Sequence, residues 1–479
     1  METKNRQTHI VDKNEGKNSA AGPGAFLDTQ KLHSRIQGRV ITPGEAGYDE
    51  SRKLFYGGFD NHPALVVRPV NSADVAAAVQ FARETGMELS IRSGGHSLAG
   101  HSVADGGLMI DMRDMRALEI DVANRTAWAE TGLTAGEVTA AANQHGLAVG
   151  FGDTGSVGIG GLTLGGGIGY LVRKHGLTID SLLAAEIVTA DGQILRVDEK
   201  NHPDLFWAIR GGGGNFGVVT RFQYRLHEVG DVYGGMLVLP GTAEVIAKFM
   251  AEAERAPEAL STIANIMPSP PMPFVPAEYH GKLILMAMLV YAGDVKEGEK
   301  AAAPFRALAK PIADMLRPMP YPEMFPHEDI DNGPTAVGRT IFLDKIDQSD
   351  AETIVQYLQN SDAVMRVSQL RALGGAVSRV PADATAFAHR SRKVMAGFYA
   401  FYTSPDDKTR REAWIEEFTS TLQQGAPGEY VNFMGADGKT RLDRAYPRKT
   451  LERLAQVKAR YDPTNLFRLN QNISPAEKA

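Results

Sequence analysis

One histidine in this chain is placed where an imidazole could react with a bound cofactor. Residues 90–101 read Ser-Ile-Arg-Ser-Gly-Gly-His-Ser-Leu-Ala-Gly-His, so His96 lies in a tight turn directly after the apolar segment Glu88–Arg92. A second glycine run, residues 155–169, reads Gly-Ser-Val-Gly-Ile-Gly-Gly-Leu-Thr-Leu-Gly-Gly-Gly-Ile-Gly. Glycine at this density lets backbone N–H groups close around an anion, which is how proteins cradle phosphates. A purely structural turn, with His96 exposed or capping, is the alternative. The preceding strand, the paired glycines and the second run favour the cradle. The second run is uncharged and leads into Leu171–Asp180, so it reads as a buried backbone wall against a flat apolar ligand such as a flavin ring. Neither run ends in the Gly-Lys-Ser/Thr of a P-loop, which argues against phosphoryl transfer.

Other segments invite chemistry less convincingly. Gly212-Gly-Gly-Asn-Phe-Gly217 matches G-x-G-x-x-G, but a helical segment precedes it and the strand from Val218 follows. A dinucleotide fingerprint needs the reverse order, so a helix-to-strand turn is the better reading. His327-Glu-Asp-Ile-Asp331, between Pro326 and Asn332-Gly-Pro334, reads as a solvated acidic loop rather than a ligand set, and no metal is expected. Asp383 and His389 suit either the active site or scaffold hydrogen bonding. The chain has no cysteine, which excludes disulfides, iron–sulfur clusters, thiolate zinc sites and thiol nucleophiles.

These residues need a frame to hold them. The 479 residues carry a formal charge of −6, which gives no bulk attraction to nucleic acid or anionic lipid. No run reaches the roughly 18 consecutive apolar residues of a membrane helix. The polar, mixed-charge N-terminus lacks an apolar h-region, so a disordered tail over residues 1–24 and a cytoplasmic location are expected. From Phe55 short apolar strands alternate with amphipathic helices, among them a helix at Ser72–Thr85 with Ser72 as its cap. Residues 231–424 differ, with strands at Val232–Leu239, Lys282–Tyr291 and Val394–Tyr402 and helices at Thr242–Ala256, Val295–Ala309 and Asp406–Leu422. That spacing suggests an α+β domain on an antiparallel sheet.

Four segments in order resemble the FAD-linked oxidases of the berberine bridge enzyme-like group, in the vanillyl-alcohol oxidase superfamily with its PCMH-type FAD-binding domain. They are Arg92–Ser97, Gly158–Gly167, Gly213–Val219, and Tyr461–Phe467 with Asn470–Ile473, and the resemblance extends from Tyr48 to Ile473. It implies an α+β fold in which residues 25–230 and the returning segment 425–479 form a two-part FAD-binding domain. The substrate domain, 231–424, is inserted between them on an antiparallel sheet flanked by helices. It also implies that Arg92, Ser93, Gly94, Gly95 and Ser97 wrap the FAD pyrophosphate. His96 would be bonded to the flavin 8α carbon, and His101, Gly160, Gly161, Gly217, Val218, Asn470 and Asn472 would also face the cofactor.

Members of the group often add a cysteine thioether from a loop resembling Cys-Pro-x-Val-Gly. Here that loop is Thr154-Gly155-Ser156-Val157-Gly158, so FAD is expected to be mono-covalent. Leu162 stands where plant members show a histidine, which departs from a plant-alkaloid assignment. Val157 matches a position where a small side chain is associated with oxygen access, favouring an oxidase. The resemblance places a proton-accepting tyrosine at Tyr446. The reading is an oxidase that moves hydride from a small-molecule alcohol, hemiacetal or amine carbon to flavin, with oxygen returning as hydrogen peroxide. A dehydrogenase or oxidative cyclase using another acceptor is the nearest rival, and a non-catalytic flavin-binding protein is a rival of another class. Sugar, amine and polyketide-type substrates stay open, as does the oligomeric state.

Overall fold

The computed structural model describes residues 29–325, 333–436 and 441–477, so the expected tail at 1–24 and acidic loop at 327–331 lie outside the described residues. The N-terminal part holds two main sheets and a two-stranded pair, Leu147–Ala148 with His227–Glu228. In the first, Leu65–Arg68, Leu108–Asp111 and Leu89–Arg92 run parallel, with Arg39–Ile41 antiparallel at the edge. The parallel strands are covered on both faces, which is why they read as continuous apolar runs rather than alternations. The second sheet is antiparallel, in the order Leu118–Asp121, Thr126–Glu130, Val218–Arg225, Leu182–Val188, Ile194–Asp198.

The helix Ser72–Thr85 lies between the two sheets, with Val75, Val79, Phe81 and Ala82 buried in a core shared with Leu65, Leu108, Val188 and Val218. Its cap is Asn71, one residue before the expected Ser72, because the Asn71 side chain accepts from the Asp74 N–H at 2.9 Å. Ser72 turns its hydroxyl to the Glu186 carboxylate instead.

Residues 231–401 build one eight-stranded antiparallel sheet. Its order is Ala313–Asp314, Asp231–Pro240, Leu283–Tyr291, Leu260–Pro268, Arg366–Ala372, Val394–Phe401, Ala336–Leu343, with Arg317–Pro320 also pairing with Asp231–Pro240. Helices Ala243–Arg255, Val295–Arg306, Gln348–Asn360 and Pro405–Leu422 cover one face, burying Leu285, Leu289, Leu370 and Phe398 against Ile246, Phe249, Ile354 and Phe418. Strands at 260–268, 336–343 and 366–372 and the helix at 348–360 were not expected from the sequence. The chain then returns through the helix Arg448–Tyr461 to the first part. There Lys458, fully buried, donates to Asp462, to the Phe467 carbonyl and to the Asn215 carbonyl, tying the tail to the 212–217 turn. Among the described residues no helix is long and apolar enough to cross a membrane.

Candidate active site

The two glycine runs meet backbone to backbone. A Cβ on Gly94 would lie 2.2 Å from the Gly158 nitrogen, and one on Gly158 would lie 2.2 Å from the Gly94 nitrogen, so no side chain fits at either position. Ser93 stitches the contact: its hydroxyl donates to the Thr131 carbonyl at 2.6 Å and accepts from the Gly160 N–H at 3.2 Å. The seam forms one end of a cavity of about 550 Å³ that reaches across to the large sheet.

The cradle suits FAD. Gly161 and Gly214 line the cavity with nothing within 4 Å of a Cβ position, space that a ligand rather than a side chain would fill. Asn470 Oδ1 and Gln471 Oε1, on the same lining, are buried acceptors without a protein partner. A ligand bearing phosphate, hydroxyl and ring N–H groups satisfies both the glycine walls and these acceptors.

His96 stands at the seam. Its ring stacks on Phe55 at 4.1 Å between centroids, and Nε2 lies 3.1 Å from the Ser156 hydroxyl. Burial pushes the imidazole down to about 4, opposed by a hydrogen bond to Ser156, so it is neutral near pH 7. A neutral imidazole keeps the lone pair that a nucleophile needs.

The far wall comes from strands of the large sheet. Side chains alternate along a strand, so those opposite the helix-covered face point at the cradle: Asn265, Gln369, Arg371, Tyr399 and Phe401. Tyr430 and Asn432 join them from the returning segment. The Tyr430 hydroxyl accepts from the Gly167 N–H at 2.7 Å and from Asn432 Nδ2 at 3.0 Å. Burial pushes it up to about 12, opposed by those two donors and by the Arg371 charge. Arg371 itself donates to Asp153 at 2.8 Å, to the Ile168 carbonyl at 3.1 Å and to Gln369 Oε1.

The structure brings most of the residues singled out from sequence onto this one cavity: Ser93 to Ser97, His101, Thr154, Val157, Gly160, Gly161, Gly217, Val218 and Asn470. It moves others away. Arg92, the last residue of its strand, pairs in register with Asp111 and turns its guanidinium behind the turn, donating to the Lys53 carbonyl at 2.9 Å. Gly155 and Asn472 do not line the cavity, and Ser156 reaches it only through His96.

Tyr446 is corrected outright. It is fully buried in the core behind the cradle, and its hydroxyl donates to the Gly211 carbonyl at 3.1 Å. Burial raises its pKa, and, off the cavity, it has no access to a substrate proton. Asp383 and His389 are also off the cavity: the Asp383 carbonyl accepts from Trp207, and His389 donates to the Ala445 carbonyl. Tyr430, Tyr399, Gln369, Arg371 and Asn265 were missed. The available signal was Tyr430-Val-Asn-Phe433, a polar–apolar alternation just before the tail.

Residues 63–198 match the FAD binding domain family, and residues 429–474 match the berberine and berberine-like family. The chain is 31% identical to the FAD-linked oxidoreductase YgaK of Bacillus subtilis over 93% of its length and 99% of the relative. It is 28% identical to a glucooligosaccharide oxidase of Sarocladium strictum, over 90% of this chain and 91% of that one. The solved 6-hydroxy-D-nicotine oxidase of Arthrobacter nicotinovorans superposes with a TM-score of 0.81 at 26% identity, covering 92% of this chain and 98% of that one. A glycine-built cradle facing an antiparallel wall, with relatives matched end to end, places this chain among the berberine bridge enzyme-like FAD-linked oxidoreductases.

Proposed function

We propose that this protein is an oxidase that holds FAD covalently through His96 and oxidises a small-molecule alcohol, hemiacetal or amine, with oxygen as electron acceptor. The observation that carries the reading is that His96 and Tyr430 line one cavity. When bound, FAD supplies a hydride acceptor that oxygen can re-oxidise. The chain's own residues do the rest. The neutral His96 ring, steadied by Phe55 and Ser156, is the nucleophile for the tether. Thr154 offers no second one.

Tyr430 receives the proton of the substrate O–H or N–H. Its oxygen already accepts two hydrogen bonds, and the Arg371 charge stands nearby, so the surroundings favour the phenolate against the effect of burial. Tyr399, also on the cavity, feels the same cation but is more strongly raised by burial. Val157 lines the cavity beside Thr154, and its small side chain supports oxygen access.

Acid precipitation followed by peptide mass mapping tests the tether. Flavin should stay with a peptide containing His96, and flavin released to the supernatant overturns the covalent reading. Stopped-flow mixing of the reduced protein with air tests the acceptor. Rapid re-oxidation with peroxide formation supports the oxidase, and slow re-oxidation selects a dehydrogenase.

A further inference from the structure

The polarity of the substrate-facing wall follows from hydrogen-bond chemistry alone. A guanidinium only donates, so the Gln369 atom at 2.8 Å from Arg371 Nη2 and 3.0 Å from Nε has to be the carbonyl oxygen. The amide nitrogen of Gln369 then faces Asn265, which sits directly across the strand pair, and donates to Asn265 Oδ1 at 2.9 Å. That fixes the Asn265 amide too, because two amide nitrogens cannot bond each other. Arg371 cannot turn away. It is buried and held by Asp153 and by the Ile168 carbonyl.

The hydrogen-bonding capacity left over is mostly donor: the second N–H of Gln369 and both N–H groups of Asn265. Asp153 is the one carboxylate lining the cavity among the described residues, and Arg371 already holds it. Around these amides stand Tyr56, Tyr399, Phe401 and Phe433.

We infer that the Asn265–Gln369 amide pair, locked by Arg371, is the specificity-determining element of this cavity and selects neutral substrates whose oxygens accept hydrogen bonds, namely alcohols and lactols, over ammonium-bearing amines. A protonated amine brings only donors to these amide donors and finds no free carboxylate among the described lining residues. The inference rests on the proposed oxidase reading and narrows its substrate class.

The test uses the flavin-loaded protein near pH 7 with cellobiose and benzyl alcohol against N-methylbenzylamine. Anaerobic bleaching reports oxidation, and perturbation of the visible flavin band reports binding. The neutral compounds should be favoured about tenfold or more in kcat/KM and in Kd. Asn265→Leu should raise KM for them about tenfold with a smaller change in kcat, at unchanged flavin content. Asn265→Asp, which puts a carboxylate on the same site, should move the ratio toward the amine by a similar factor.

A wild-type preference for the amine, a ratio unmoved by Asn265→Asp in a protein of unchanged melting temperature, or no binding of either neutral compound overturns the inference. If the neutral compounds perturb the band but nothing bleaches it, the oxidase reading fails, while the binding ratio still decides the wall.

Discussion

The two walls of the cavity are built on opposite principles. The cradle is made of backbone: Gly94 against Gly158, Gly161 and Gly214 open to the interior, and Ser93 as the stitch. The far wall is made of side chains carried by one sheet face: Asn265, Gln369, Arg371 and Tyr399, with Tyr430 and Asn432 beside them. Backbone donors suit a ligand that never changes, because they are indifferent to neighbouring side-chain identity and sterically strict. Side chains on a pleated face can be exchanged one at a time without touching the helix-covered core behind them. The cradle therefore answers to added volume, and the wall answers to altered chemistry.

Substitutions on each side can break that contrast. The largest effect is expected from Gly94→Ala, whose Cβ meets the Gly158 backbone at 2.2 Å. Bound flavin, and with it all turnover, should be lost, because backbone cannot yield as a side chain does. A fully loaded, normally stable variant would show that the seam accepts a side chain.

Tyr430→Phe comes next. It should lower kcat roughly 10²- to 10⁴-fold, the span of a general base, with flavin content unchanged. Arg371→Met should shift the pH profile. The cation favours the Tyr430 phenolate, so removing it moves the rising limb of kcat to higher pH. The variant also strands Asp153, at a cost of about 3–5 kcal/mol seen in denaturant unfolding. A profile that stays put would reduce Arg371 to a structural tie.

Acid should weaken the protein through its buried histidines. His389, stacked on Phe342 at 4.6 Å, is pushed down to about 4 by burial, from the 6.5 of an exposed histidine. The unfolded chain therefore binds a proton that the native state refuses. The stability contribution is fully present above pH 6.5 and is lost as pH falls from 6.5 toward 4. His389→Gln should flatten that part of the unfolding curve.

The smallest effect belongs to Tyr446→Phe. It should lose about 1 kcal/mol from the missing bond to Gly211 and leave kcat/KM intact. Activity loss there on the scale of Tyr430→Phe would reverse the two assignments.

The cradle was legible because its constraint is local. Residues that must be glycine are visible as glycine, and Gly94 and Gly158 announce themselves without any knowledge that they touch. The wall was not legible, and the strand Arg366–Ala372 shows why. Arg-Val-Ser-Gln-Leu-Arg-Ala places Ser368, Leu370 and Ala372 on the covered face and Gln369 and Arg371 on the cavity, so it looks too polar for a central strand. The tyrosine was misplaced for a related reason. Tyr430 and Tyr446 lie on the same returning segment and are equally buried, and only their place on or off the cavity and their partners tell them apart.

What the amino-acid sequence determined by itself was the steric part: glycine at the seam, histidine in the turn, and the order of motifs that marks an FAD cradle. These depend on residue type and near neighbours alone. Tertiary structure alone decided which polar groups face one another. Asn265, Asp153 and the pair Gln369 and Arg371 come from three separate stretches of chain, and strand register with sheet packing carries them to one wall. The direction of each amide there is set by its neighbour's chemistry, which exists only once the chain has closed around the cavity.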